Sequence, residues 1–337
     1  MKQATEKAII VPMTVEWKSA WLSWVASTTT CLNALGVKCD VFDVAGMSGY
    51  AFIMTVHECI CPSGPTMFNW GLLEPGITYL GRSTLTFKSC DSHTEWKDNP
   101  VRIMESYKQV YNLVAREVAE GRPCVIWGTY DPEFGVVIGV DDMHYIVKTY
   151  KPLMGEEEPP IPFDKLNCLG SMYVLAFPTT SNVPQQAGDH AAISAAAELL
   201  MKKRSGFRLY ENGLKAYDQW IRALKAGPGN APCNNFTPFG NTYNSQCYAE
   251  AKSFALVFLK RVAERNPSIR AKLEKAVDLY QIVADEMIKM AKLFPFPPKK
   301  EIENEKSRSE AITALNNAKV AETKAVDVLI EVSDMGW

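Results

Sequence analysis

The chain has 337 residues, 47% of them hydrophobic and 22% charged, with a formal net charge of −2. That composition can fill one large core or two smaller ones. The missing basic run excludes a nucleic-acid footprint, and no stretch approaches the roughly 18 consecutive apolar residues of a membrane span.

The amino terminus, MKQATEKAIIVPMTVEW, holds only a short apolar patch, so no signal peptide is expected. The nine cysteines have no disulfide-like spacing. Both features predict a cytoplasmic protein whose thiols are mostly free and buried. A strand is expected at Ala8–Val11, then a helix from about Thr14 to Leu35, stopped by Gly36. One face of that helix carries Trp17, Trp21, Trp24, Thr28, Cys31, Leu32 and Leu35; a second stripe is small, Ser19, Ser23, Ala26, Ser27 and Thr30. A helix with two such faces is expected to be central and buried on two sides. A strand from about Ala51 to Cys61 follows a glycine turn and precedes a Pro/Gly/Ser turn, and Asn99 to Glu120 reads as a second helix.

Residues 121–150, GRPCVIWGTYDPEFGVVIGVDDMHYIVKTY, read as three strands: Cys124–Trp127, Phe134–Val140, a turn at Asp141-Asp142, then His144–Tyr150. An acidic, proline-rich loop spans 151–162, and 170–178 reads as a last strand. Composition shifts near residue 180, where PTTSNVPQQ reads as a linker. Five helices are expected beyond it, about 189–204, 211–226, 244–265, 267–294 and 299–332. The predicted organisation is an α+β domain over 1–180 and an all-α helical bundle over 188–337.

Four pieces carry a family resemblance: the long helix closed by Leu35-Gly36, the Gly46–Phe52 turn and strand, Gly121-Arg-Pro-Cys-Val-Ile126, and Val136-Val-Ile-Gly-Val-Asp141. Over roughly residues 8–178 the chain resembles the papain-like fold of bacterial type. It is similar to bacteriocin-processing peptidase domains and to the N-terminal domain of butirosin biosynthesis protein H, an acyltransferase. The resemblance implies a cysteine at the N-terminus of the central helix, kept as thiolate by the helix dipole and a histidine base. The position thirteen residues before Gly36 is Ser23, the base position six before Gly139 is Glu133, and the orienting position maps near Thr149. All three are substituted. A serine lacking a base is inert at neutral pH, and a glutamate acts as base only where burial lifts its pKa towards about 6–7. The resemblance therefore implies a cleft that binds a small molecule, peptide or acyl group, lined by Ser23, Glu133, Trp24 and Trp127.

An enzyme of another kind, a cysteine-dependent acyltransferase or amide hydrolase, would need a relocated thiol. Cys61 beside the Pro62-Ser-Gly-Pro-Thr66 turn, with His57 four residues back as its base, is the best pair. If the strand runs on through Cys61, His57, Cys59 and Cys61 share one face and form a weak zinc set, with His93 as a possible fourth ligand. Cys31 is expected in the core, His144 after the hairpin turn, and Asp189 as the N-cap of a helix opening at His190. The loops Ala226–Asn230 and Asn234–Asn244 read either as pocket walls or as helix connections. The isolated Gly-x-x-Gly patterns lack a strand-to-helix context, so no cofactor is expected. Nothing in the sequence sets an oligomeric state.

Overall fold

A computed structural model of the chain describes residues 8–89, 100–201, 207–227, 238–299 and 304–337. In chain order it contains β1 (Ile9–Ile10), α1 (Ser23–Ala34), α2 (Val41–Met47), β2 (Thr55–His57), α3 (Glu74–Tyr79), β3 (Leu85–Lys88), α4 (Pro100–Ala119), β4 (Cys124–Trp127), β5 (Phe134–Asp141), β6 (His144–Lys148), β7 (Ile161–Pro162) and β8 (Tyr173–Ala176). Then come α5 (Gln185–Met201), β9 (Tyr210–Asn212), α6 (Leu214–Ala226), α7 (Pro238–Arg265), α8 (Arg270–Leu293) and α9 (Glu305–Ser333). This is a mixed architecture of the α+β kind, with an antiparallel sheet and a helical C-terminal part.

The chain divides into two compact units, one of 1–41 and 80–182, the other of 42–79 and 183–337. Residues 42–79, which the composition shift leaves in the first domain, group with the C-terminal helices. The reason is packing. Phe42 meets Phe254 edge-on at 5.1 Å, and Phe52 meets Tyr280 at 5.6 Å and Phe258 at 6.4 Å. Tyr248 Oη accepts from Thr55 N and donates to Thr55 O.

The first unit is built on a sheet of order β3-β8-β4-β5-β6-β7, with β1 added to the far end of β5. All of its pairings are antiparallel. β4 and β8 are buried at every residue. Successive strand side chains point to opposite faces, so both faces of the sheet centre are covered. The helices packed on these strands are α1, on β5 and β4, and α4, on β5, β8, β4 and β1. The hairpin turn sits one residue later than expected: Asp142 and Met143 both take positive φ, 40° and 63°. That is the geometry of a two-residue hairpin turn whose twist matches its strands. Where β1 crosses β5, a Cβ on Gly139 would lie 2.9 Å from Ile9 O, so this position admits only glycine without a shift.

α1 begins at Ser23, not at Thr14. Lys18 N donates to Thr30 Oγ1 at 2.9 Å, which lays the preceding segment alongside the helix instead of inside it. Trp17 and Trp21 are therefore off the helix. Residues Ser23 to Leu32 are all buried, as expected of a central helix. Its end is a glycine cap: Gly36 has φ +82°, Gly36 N donates to Asn33 O, and Val37 N to Leu32 O.

In the second unit β2 and β9 form a two-stranded antiparallel sheet, and α6, α7, α8 and α9 meet at a buried polar centre. Lys252 on α7 and Glu322 on α9, both fully buried, form an ion pair at 2.8 Å. Tyr217 of α6 and Tyr280 of α8 donate to the same carboxylate at 2.7 and 2.9 Å. One carboxylate thus links four helices. Asp189 is not an N-cap: α5 already starts at Gln185, and the fully buried Asp189 receives Arg265 at 2.7 Å and Asn266 at 2.8 Å.

Candidate functional site

Two residues 110 positions apart in sequence meet in the first unit: Ser23 Oγ donates to Glu133 Oε2. Their elements bring them there. Ser23 is the first residue of α1, and Glu133 is the last residue before β5. The Ser23 hydroxyl is used in both directions, because it also accepts from Phe134 N at 3.1 Å. Ser23 is buried and Glu133 half-buried. The first turn of a 12-residue helix carries unsatisfied amides and partial positive charge, which favours a carboxylate at this place.

The β4–β5 loop holds Glu133 by its backbone. Gly128 N donates to Glu133 O at 3.0 Å, and Glu133 N donates to Asp131 O at 2.7 Å. Gly128 has φ +79°, and a Cβ there would lie 2.6 Å from the Cys168 backbone, so the loop closes only with glycine. Asp131 is anchored by Tyr150 Oη at 2.5 Å and Lys151 Nζ at 3.1 Å. Burial works to raise the Asp131 carboxyl, but the Tyr150 hydroxyl and the Lys151 ammonium outweigh it and hold the group below its ordinary value. Burial pushes the Tyr150 phenol up, helped by Asp131 and by the charge of Glu133.

Thr149, at the orienting position, is buried and bonds Glu158, with its amide at 2.5 Å and its hydroxyl at 2.8 Å, instead of Glu133. Trp24 is fully buried, and Trp127 is 5% exposed, donating its indole N–H to Cys168 O at 3.0 Å and packing on Phe134 at 4.7 Å. Both tryptophans belong to the core and offer almost no open surface. Cys31 is a core residue whose thiol burial pushes well up, with Cys124 adding to the effect. His144 Nδ1 pairs with Asp142 O at 2.7 Å.

The relocated-thiol pair is not assembled. β2 ends at His57, and Ile60 turns back on it with φ +51° and its N–H on His57 O. The alternation that would put His57, Cys59 and Cys61 on one face therefore stops at the first of them. His57 Nδ1 accepts from Cys59 N at 3.1 Å, and its ring lies edge-on to Tyr210 at 4.7 Å. Burial holds its pKa below the ordinary value, partly opposed by Glu58. Cys61 Sγ instead accepts from the Ser63 hydroxyl at 2.9 Å, which also pairs with Tyr210 Oη at 2.7 Å. Cys59 is disulfide-bonded and so offers no thiolate to a metal, whereas Cys31, Cys39, Cys61, Cys124, Cys168 and Cys247 are thiols without a disulfide, in line with the expectation that most thiols are free. Among the described residues no group of three His, Cys, Asp or Glu side chains could hold a metal ion. His93 lies outside the described residues, as do 228–230 and 234–237 of the two candidate loops; Pro238–Asn244 forms the start of α7.

Sequence reasoning passed over Asp131, Tyr150, Lys151 and Phe134. The first three are polar residues in turns, and Phe134 acts through its backbone, which leaves no side-chain signal. No family model matches the chain, and no curated protein matches it.

Proposed function

We propose that the first unit is a papain-like domain whose catalytic positions have been replaced, and that it binds a small molecule, peptide or acyl group where the nucleophile and base would stand. The observation that carries this reading is the Ser23–Glu133 hydrogen bond. Two positions reached independently, by counting back from two different glycines, meet at a helix N-terminus and a strand opening. A thiolate and an imidazole are the pair this geometry would serve in an enzyme. Here the hydroxyl is already committed to a carboxylate and a backbone amide, which suits recognition of a ligand N–H by Glu133 better than nucleophilic attack.

The test uses N-hexanoyl-glycinamide, which carries both an acyl chain and peptide N–H groups. Added to the native chain, it is expected to shift the amide resonances of Ser23 and Phe134, and to do so much less in Glu133→Ala. No shift in the native chain, or equal shifts in both proteins, contradicts the binding reading. Turnover of p-nitrophenyl acetate by the native chain above that of Ser23→Ala would replace it with a catalytic one.

A further inference from the structure

Arg82 precedes β3, in a stretch that extends the sheet. It bridges to Thr180, with Ser83 N on Thr179 O and Ser181 N on Gly81 O, both at 2.9 Å. The residue is 9% exposed. A guanidinium has five N–H donors and does not shed its proton in a protein. Nη2 donates to Phe177 O at 2.7 Å, and Nε is buried without an acceptor. Among the described residues no carboxylate pairs with it. The charged neighbour that acts on it is Arg122, of the same sign. The acids beside Arg122 are already engaged: Glu117, 1% exposed, takes Arg122 at 2.7 Å and Arg116 at 3.2 Å, and Glu120 lies 3.8 Å from Arg122. Arg116 and Arg122 therefore have carboxylate partners, whereas Arg82, more buried than either, has only the Phe177 carbonyl.

A charge withdrawn from water is retained at a large cost unless an opposite charge meets it, and a peptide carbonyl supplies only a partial one. A charged guanidinium N–H makes a stronger hydrogen bond to the oxygen of a carboxylate or phosphate than to a neutral carbonyl. We propose that Arg82 anchors an oxyanion site in the first unit, taking a small carboxylate or phosphate on its Nη1 donors, with Arg122 adding attraction of longer range. The site needs neither Ser23 nor Glu133, so it stands whether or not the ligand reading of that pair holds.

The experiment titrates the full chain with inorganic phosphate and, separately, acetate, against sodium chloride at matched ionic strength. Melting temperature and the Arg82 Nε–H resonance are followed together. The expected result is saturable stabilisation by one of the two anions, with movement of that resonance. Phosphate as the better ligand marks a phosphoryl site, acetate a carboxylate site. Arg82→Met should weaken the response at least about tenfold, and in anion-free buffer it should melt no lower than the native chain, because it removes an uncompensated charge. Protection no better than chloride, or equal protection of native and Arg82→Met proteins, would overturn the proposal. If Arg82→Met does not fold, the native titration and the Nε–H resonance decide alone.

Discussion

Ser23 sits where a hydroxyl can satisfy two groups at once, and that makes its structural weight predictable. Ser23→Ala leaves the buried amide of Phe134 without an acceptor, while the half-buried Glu133 can turn to water. An orphaned buried donor costs about 1–3 kcal/mol, so urea unfolding of Ser23→Ala should show a loss of that size. A loss near zero would mean that the bond to Phe134 N does not form. His57 gives a second prediction at this scale. Its folded-state pKa lies below 6.5 because burial disfavours the imidazolium. The unfolded chain then binds the proton more readily, so stability from a neutral His57 is complete above 6.5 and is lost as pH falls through the folded value. An NMR titration should place His57 below a free imidazole, and His57→Gln should flatten the acid side of the stability profile. A normal or raised value contradicts the burial argument. Ser23 and Glu133 were reached because the spacings of the resembled family, counted back from Gly36 and Gly139, end on them. Thr149 was found by the same count, but its partner, Glu158, was not, since a contact nine residues away across a loop leaves no periodic trace.

Helices and strands with a clear period were legible: α4, the three strands β4 to β6 and β8 within a few residues, and the five C-terminal helices in order, although α7 starts six residues earlier and α9 six residues later than expected. Errors came where a tertiary bond overrides local pattern. The Trp17–Trp21–Trp24 spacing looks helical, yet the amide of Lys18 is taken by Thr30 and the helix starts at Ser23. The strand expected through Cys61 ends at His57 because Ile60 turns back. The buried centre of the bundle did leave a signal that went unread. Lys252 and Glu322 each fall on the apolar stripe of a long helix, and two opposite charges on two such stripes point to each other. Removing one member of a buried pair strands the other, at about 3–5 kcal/mol, whereas replacing both by apolar groups costs much less. Glu322→Leu should therefore destabilise the chain strongly, and Lys252→Met/Glu322→Leu should recover part of the loss, short of all of it because Tyr217 and Tyr280 also lose their acceptor. Strictly additive losses in denaturant unfolding would contradict the pairing.

At the scale of the whole molecule, what the sequence concealed was connectivity. A composition shift near residue 180 separates strand-rich from helix-rich chain, but it cannot show that 42–79 packs with the helices that follow. Tyr50, Phe52, Met54 and Val56 are buried in the second unit. A fragment ending at residue 180 would leave these side chains without their cover. It should bind a hydrophobic dye and self-associate, while the first unit made by joining 41 to 80 through a short glycine-serine linker should not. Equal behaviour of the two fragments would contradict the division.

The proposal that Ser23 and Glu133 stand at the two reactive positions of a papain-like cleft can be put to the test by restoring the chemistry they lack. In Ser23→Cys/Glu133→His the geometry would hold a thiol beside an imidazole at a helix N-terminus, and such thiols have pKa values of about 3.5–7.5. The measurement is the pH profile of iodoacetamide alkylation at the introduced thiol, read by peptide mass spectrometry. The account predicts fast alkylation persisting below pH 7, and a return to ordinary thiol behaviour in Ser23→Cys with Glu133 retained. An introduced thiol that alkylates with a normal profile in the double variant would contradict it.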